Sequence, residues 1–251
     1  MSIIIKADDV DNHLFFSGRN VGASRKLCGD IATISCLIKR NSSDFYEKTK
    51  ANYFNALNEA HAWLEQQARR YNVSLKMKGY FFEIDAPTGL DEDDGWDILK
   101  SFFNQENMDA LQNKYEVKLN FDETPFLAVF DMHNRSFATM QKNIYPFYIN
   151  ELSTIFRYNN NYNHLTIAHE LLHQFGAVDF YFPDKISQSA DYHLGPSIMG
   201  RAMGNVDDLT AYLIGWKDDI SINTYNFLKN TMWYTKEEYE NALKETWKAK
   251  F

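Results

Sequence analysis

The segment at residues 164–182, HLTIAHELLHQFGAVDFYF, sets the narrowest limits on how this chain can fold. It contains HELLH at residues 169–173, so two histidines stand four positions apart. In an α-helix, residues at this spacing lie on one face, and both imidazoles can reach a single ion. Glu170 lies about 100° around the helix from His169, where a carboxylate can touch a metal-bound water without binding the metal. The pattern predicts a zinc-binding helix with its own general base.

Gly176 and Asp179 follow at intervals of three residues and extend the pattern to HExxHxxGxxD. Glycine can adopt the left-handed backbone conformation that ends a helix and turns the chain. We therefore expect the chain to bring Asp179 back towards the ion. His169, His173 and Asp179 would hold one Zn²⁺ and leave a position open for water.

A turn and another helix are predicted farther along the chain. PSIMG at residues 196–200 places Met199 in a turn, and a helix with Asp207 at its start follows. Over about residues 120–216 the chain resembles the metzincin clan of zinc peptidases. It has the same order of features, namely a zinc helix, a glycine turn, a third ligand, a methionine turn and a helix. The resemblance implies an α/β fold of the α+β zincin type. A mixed twisted sheet with helices would lie above the active-site helix, and a smaller, mostly helical or irregular subdomain would follow.

The resemblance also implies an activity, the zinc-dependent hydrolysis of peptide bonds in extended peptides or proteins. Glu170 would act as general base, and Met199 would form an apolar floor beneath the metal. Most metzincins have histidine as third ligand, whereas the snapalysin-type bacterial proteases are similar to this chain in using aspartate. His193 is the alternative third ligand.

Residues around the methionine turn are candidates for substrate contacts. Some metzincins place a tyrosine two residues after the methionine, where this chain has Arg201, so that tyrosine's role does not carry over. The candidates for stabilising the oxyanion are Tyr181, Tyr192 and His193. The candidates for the wall of the substrate pocket are Gly200, Arg201 and Ala202.

Two alternative functions use the same ligands. One is a zincin-fold protein with weak catalysis, in which the metal is structural and the cleft serves binding. The other is a non-haem iron oxygenase with a site of two histidines and one carboxylate. The oxygenase fits less well, because such enzymes usually present their ligands from a β-barrel and Glu170 supplies a base that oxygen activation does not need.

Hydrophobic periodicity predicts further elements. A 3.6-residue period indicates a helix over residues 47–71, and β-branched and aromatic residues indicate a strand over 73–84. A second helical pattern has its apolar residues at Ile98, Phe102, Phe103, Met108 and Leu111.

Short strands are predicted at 126–132, 136–140 and 145–150, and a C-terminal helix at 235–250. By position, 136–140 is where metzincins have the edge strand that pairs with extended substrate. We divide the chain into an upper α/β subdomain, residues 1–176, and a lower subdomain, residues 177–251. The cleft between them is expected to bind the peptide.

The acidic segment at residues 91–97, DEDDGWD, has two interpretations. Its carboxylates fit a helix N-terminus, where they cap free N–H groups and complement the helix dipole. Alternating carboxylates followed by glycine could also bind Ca²⁺, but the bidentate glutamate that ends a full calcium loop is missing.

Composition and charge narrow the possible partners. The chain has 26 basic and 34 acidic side chains and therefore a net charge of −8. This charge argues against nucleic acids and anionic membranes as binding partners. Residues 1–9 hold too short an apolar stretch for a recognisable secretory signal, so a cytoplasmic protein or an unrecognised export route is expected. Cys28 and Cys36 could pair in an oxidising compartment or remain reduced, and the surroundings of Cys28 faintly resemble the cysteine switch of some metzincin proforms.

Overall fold

The computed structural model describes residues 5–6, 24, 26–39, 44–86, 102–120, 124–140, 151–157, 161–181, 184–201 and 204–231. These residues belong to two compact units. The first unit falls within residues 22–174, and the second holds the residues from Phe175 onward together with strand β1 (Ile5–Lys6).

The first unit is built on a mixed five-stranded sheet. Its strands are β2 (Gly29–Lys39), β3 (Leu75–Asp85), β4 (Phe126–His133), β5 (Phe137–Met140) and β6 (Glu151–Arg157), in the order β3-β2-β4-β6-β5. β2 is parallel to β3 and β4, β4 is parallel to β6, and β5 is antiparallel to β6. The predicted α/β fold with a mixed sheet is confirmed.

Helix α1 (Asp44–Arg70) connects β2 to β3, as parallel neighbours require a crossover. Its predicted apolar face is buried, since Tyr53, Leu57, Ala60 and Leu64 are at most 2% exposed. This side of the first unit also holds α3 (His164–His173), which contains the HELLH segment and packs on α1.

Helix α2 (Gln105–Tyr115) lies over an aromatic core formed with the sheet. The prediction of a helix through Phe102 and Phe103 is wrong in extent. Both rings are buried, but they lie in a turn ahead of the helix, because Asn104 caps it by accepting a hydrogen bond from Asn107 N. Residues 98–101 lie outside the described part of the chain.

Two strands differ from the sequence prediction. β2 and β6, both in the interior of the sheet, were not predicted, whereas β3, β4 and β5 lie within about two residues of their predicted bounds. The predicted strand at 145–150, the acidic segment at 91–97 and the predicted helix at 235–250 lie outside the described residues.

The two cysteines are thiols and cannot form a disulfide with each other. Cys36 is in the middle of β2 and Cys28 directly precedes that strand. Eight residues of extended chain span roughly 26 Å, whereas disulfide-bonded residues have Cα atoms about 4.4–6.8 Å apart. The alternative of a Cys28–Cys36 disulfide is therefore wrong.

The second unit is mostly helical. It contains α4 (Asp184–His193), α5 (Ile198–Arg201), α6 (Asp208–Leu213) and α7 (Ile222–Thr231). A two-residue strand β7 (Asp219–Ile220) pairs with β1 in antiparallel orientation. Among the described residues, no helix has both the length and the apolar character needed to cross a bilayer.

Candidate metal centre

The HELLH residues form the C-terminal half of α3, a helix with well-defined ends. Asn163 caps its N-terminus, where Oδ1 accepts hydrogen bonds from Leu165 N at 2.8 Å and Thr166 N at 3.4 Å. Tyr162, just ahead of the cap, donates its hydroxyl proton to Phe130 O at 2.9 Å. The start of the helix is thus fixed to the sheet.

The two histidine rings approach each other closely. Nε2 of His169 and Nε2 of His173 are 3.2 Å apart, and the ring planes are perpendicular. Two ligand atoms held at zinc-bond length in tetrahedral geometry are about 3.3 Å apart. The separation of the two nitrogens therefore fits a single ion between them. His169 is buried, and His173 is half-buried.

The chain leaves α3 through a turn in which Gly176 has φ = 99°. Residues with a Cβ rarely adopt this conformation, so the glycine predicted to end the helix is needed there. Three residues later, Asp179 contributes a carboxylate oxygen to the histidine cluster. The ligand atoms of His169, His173 and Asp179 all lie within 4.8 Å of one another.

The donors of this cluster suit zinc. Two imidazole nitrogens and one carboxylate oxygen are a ligand set found at catalytic zinc sites, which keep the fourth position for water or substrate. Within the part of the chain that the structure describes, this is the one grouping of three or more His, Cys, Asp or Glu residues close enough to bind a metal. Neither His193 nor Cys28 belongs to it.

Glu170 is 5% exposed, and its backbone carbonyl accepts a hydrogen bond from Ser153 Oγ at 2.8 Å. Ser153 lies on β6, so the turn of α3 that carries Glu170 is bonded to the sheet. Burial therefore holds the Glu170 side chain away from bulk water.

Met199, which was predicted in a turn, lies in the four-residue helix α5 of the second unit, and the name methionine turn is kept for residues 196–200. Met199 is fully buried in α5, and its carbonyl accepts a hydrogen bond from Phe180 N at 2.8 Å. The residue after Asp179 is thus bonded to the methionine that the sequence analysis singled out. Adjacent chain segments pair between Ser197 and Asn205, with Ile198 N donating to Asn205 O at 3.0 Å.

Asp207 joins this turn to the following helix. Its carboxylate accepts hydrogen bonds from Ser197 Oγ at 2.5 Å and Thr210 Oγ at 2.6 Å, and from Leu209 N and Thr210 N at 3.0 Å each. Burial raises the pKa of the Asp207 carboxyl, although the hydrogen bonds from Ser197 and Thr210 act to lower it. The predicted helix cap at Asp207 is confirmed, and the same side chain also fixes the methionine turn.

The residues predicted to stabilise the oxyanion or to line the substrate pocket differ in their exposure. Tyr192 is 84% exposed with its ring against that of His193, whose Nε2 is 3.0 Å from Asn230 Nδ2. Tyr181 is half-buried and Gly200 is buried. Arg201 ends α5, but its side chain lies outside the described part of the structure, as does the whole of Ala202.

Sequence reasoning did not single out Gln174, Ser153 or Tyr162, which hold α3 in place. Gln174 and Ser153 are polar residues in apolar stretches, and Tyr162 lies among the asparagines of residues 159–163. Nothing in these local patterns marks the three side chains as supports of the helix. Their roles depend on partners far away in sequence, such as Phe126 for Gln174.

Comparison with known proteins adds no relative. No protein-family model matches the chain, and no curated protein matches it. The resemblance to metzincins rests on the motif residues.

Proposed function

We propose that this protein is a zinc-dependent endopeptidase of the metzincin type. The observation that carries the proposal is the cluster at the end of α3, in which His169, His173 and Asp179 bring three ligand atoms within 4.8 Å of one another. The 3.2 Å separation of the two Nε2 atoms is what a shared tetrahedral ion requires. The glutamate beside the first ligand then adds the base that peptide hydrolysis needs.

His169, His173 and Asp179 would hold the ion. When bound there, zinc would acidify a water molecule and polarise the carbonyl of the scissile peptide bond. Glu170 would accept the proton of the attacking water at its carboxylate and then give it to the leaving amine. Met199, fully buried, would serve as packing and not as a ligand.

An extended peptide is the substrate class that the sheet favours. β5 stands last in the order of described strands and lies close to α3. Because a strand at a sheet edge can pair with an added chain through backbone hydrogen bonds, β5 would align a peptide alongside the metal-binding helix.

The test separates the base from the ligands. We expect Glu170→Gln to reduce peptide cleavage at least about 100-fold, because the amide cannot accept the proton, while bound zinc stays near one ion per chain. The measurements are cleavage of a quenched-fluorescent peptide library and metal content by atomic emission. Glu106→Gln, an exposed glutamate of α2, is the matched control and should behave like the wild type.

Other results would contradict the proposal. Wild-type protein that binds zinc but cleaves no peptide would favour the alternative of a zincin-fold protein with a structural metal. Cleavage that survives Glu170→Gln would remove this residue from the mechanism.

A further inference from the structure

The side chain of Gln174, the residue directly after His173, is inserted into the sheet. It is 1% exposed, and its amide forms three hydrogen bonds. Oε1 accepts from Phe126 N at 2.9 Å, and Nε2 donates to Phe126 O at 2.9 Å and to Ser153 Oγ at 2.7 Å. The amide therefore pairs with both backbone polar groups of one residue, as a neighbouring strand would.

Phe126 is the first residue of β4, and the pairing of β4 with β6 begins one residue later, between Leu127 and Ser153. At Phe126, one residue before the pairing of β4 with β6 begins, the Gln174 amide bonds the backbone N–H and C=O of β4 in place of a neighbouring strand. Buried backbone groups left without partners are costly, so this position calls for a side chain that can both donate and accept.

Ser153 extends the contact back to the helix. Its hydroxyl accepts from Gln174 Nε2 and donates to Glu170 O at 2.8 Å. Residues 170 and 174 are one helical turn apart, and His173 lies between them. The C-terminal carbonyls of a helix lack intrahelical partners and helix ends fray, so the second metal-binding histidine sits where α3 would otherwise be least fixed.

We propose that Gln174 and Ser153 are positioning residues, which bind the last turn of α3 to β4 and β6 and so fix His173 and Glu170 in the geometry that metal binding and proton transfer require. This inference rests on the proposed function and deepens it. Residues that orient metal ligands typically change metal affinity about 10- to 100-fold when they are removed. Both groups, an uncharged amide and a hydroxyl, lie outside the cluster of His169, His173 and Asp179.

The experiment measures zinc affinity in Ser153→Ala and Gln174→Leu by competition with a chromogenic chelator. We expect each variant to bind zinc about 10-fold or more weakly than the wild type, and the Co²⁺-substituted protein to show a shifted visible spectrum. We also expect kcat to fall while KM changes little, because the substrate contacts remain.

Matched controls separate positioning from general stability. Ser35→Ala removes an equally buried serine hydroxyl of the same sheet, bonded to the Tyr53 hydroxyl at 2.7 Å. Gln67→Leu removes a buried glutamine of α1. Both should leave zinc affinity and the Co²⁺ spectrum unchanged. Ser153→Ala loses only one small group, so it remains informative if Gln174→Leu does not fold.

Hydrogen exchange at the His173 amide in metal-free protein gives a second readout, which should speed up in Ser153→Ala and not in Ser35→Ala. Unchanged zinc affinity and unchanged exchange in Ser153→Ala would overturn the positioning role alone. Wild-type protein that binds no zinc would overturn the proposed function and this inference with it.

Discussion

His61 is a buried histidine of α1 that lies away from the candidate metal ligands in sequence. It is 4% exposed, and its Nε2 is 3.2 Å from Thr33 Oγ of β2. Burial lowers the pKa of His61 from 6.5 to about 4. The neutral ring is therefore part of the folded core, and the charged ring is disfavoured there.

This pKa predicts how stability depends on pH. The unfolded chain takes up the proton near pH 6.5 but the folded chain only near pH 4, so stability should fall as the pH drops through this window. The loss should amount to about 3 kcal/mol and should be complete below the folded pKa. Urea unfolding of metal-free protein at several pH values, compared with His61→Gln, measures it. Parallel curves for the two proteins would contradict the assignment.

Gly204 lies close to the backbone at the start of the methionine turn. A Cβ added at Gly204 would lie 2.4 Å from Pro196 O and 2.7 Å from Ser197 N, and these backbone atoms cannot move aside cheaply. We expect Gly204→Ala to lower the free energy of unfolding by about 2 kcal/mol or more.

Gly200→Ala is the matched control for Gly204→Ala, because its Cβ would meet only Ser197 Cβ at 3.8 Å. Thermal unfolding of both variants makes the comparison. If the two behave alike, the close approach at Gly204 is not what limits the turn.

Among the helices and strands, the pattern of burial explains why α1 could be predicted from the sequence and why β2 and β6 could not. α1 has one buried face, so its period was readable. β2 is buried on both faces from Thr33 to Ile38, so it lacks the alternation that marks a half-exposed strand. β6 is likewise buried from Leu152 to Arg157. The start of α2 was misplaced because Phe102 and Phe103 have the apolar character of a helix face, while the Asn104 cap decides the boundary.

The residues of the candidate site also differ in how far they could be predicted from local sequence. Spacing alone brought together His169, His173 and Asp179, because all three lie on one short helix and the turn after it. The supports of that helix could not be predicted. Gln174 meets Phe126 across 48 positions of sequence, and only the folded sheet brings them into contact.

For the whole molecule, the proposed zinc site predicts a dependence of stability on metal. A ligand that binds only the folded chain adds about 2.7 kcal/mol when present at 100 times its Kd. For a chain of this size we expect zinc to raise Tm by about 5–10 °C, and chelation to reverse the gain.

Calorimetry with and without zinc measures this shift, and variants of α3 identify its origin. His173→Ala should abolish the response to zinc. His164→Ala, a histidine of the same helix that pairs with Glu59 at 3.4 Å, should retain it. A wild-type Tm that zinc does not change would contradict the proposed site.

The amide that fastens α3 to the sheet has a consequence for how acid affects the protein. A glutamine side chain neither gains nor loses a proton while a protein remains folded, and neither does a serine hydroxyl. The hydrogen bonds that support the last turn of α3 are therefore indifferent to pH. Metal binding requires deprotonated ligands, so acid would release zinc from the proposed site by protonating those ligands and not by titrating Gln174 or Ser153.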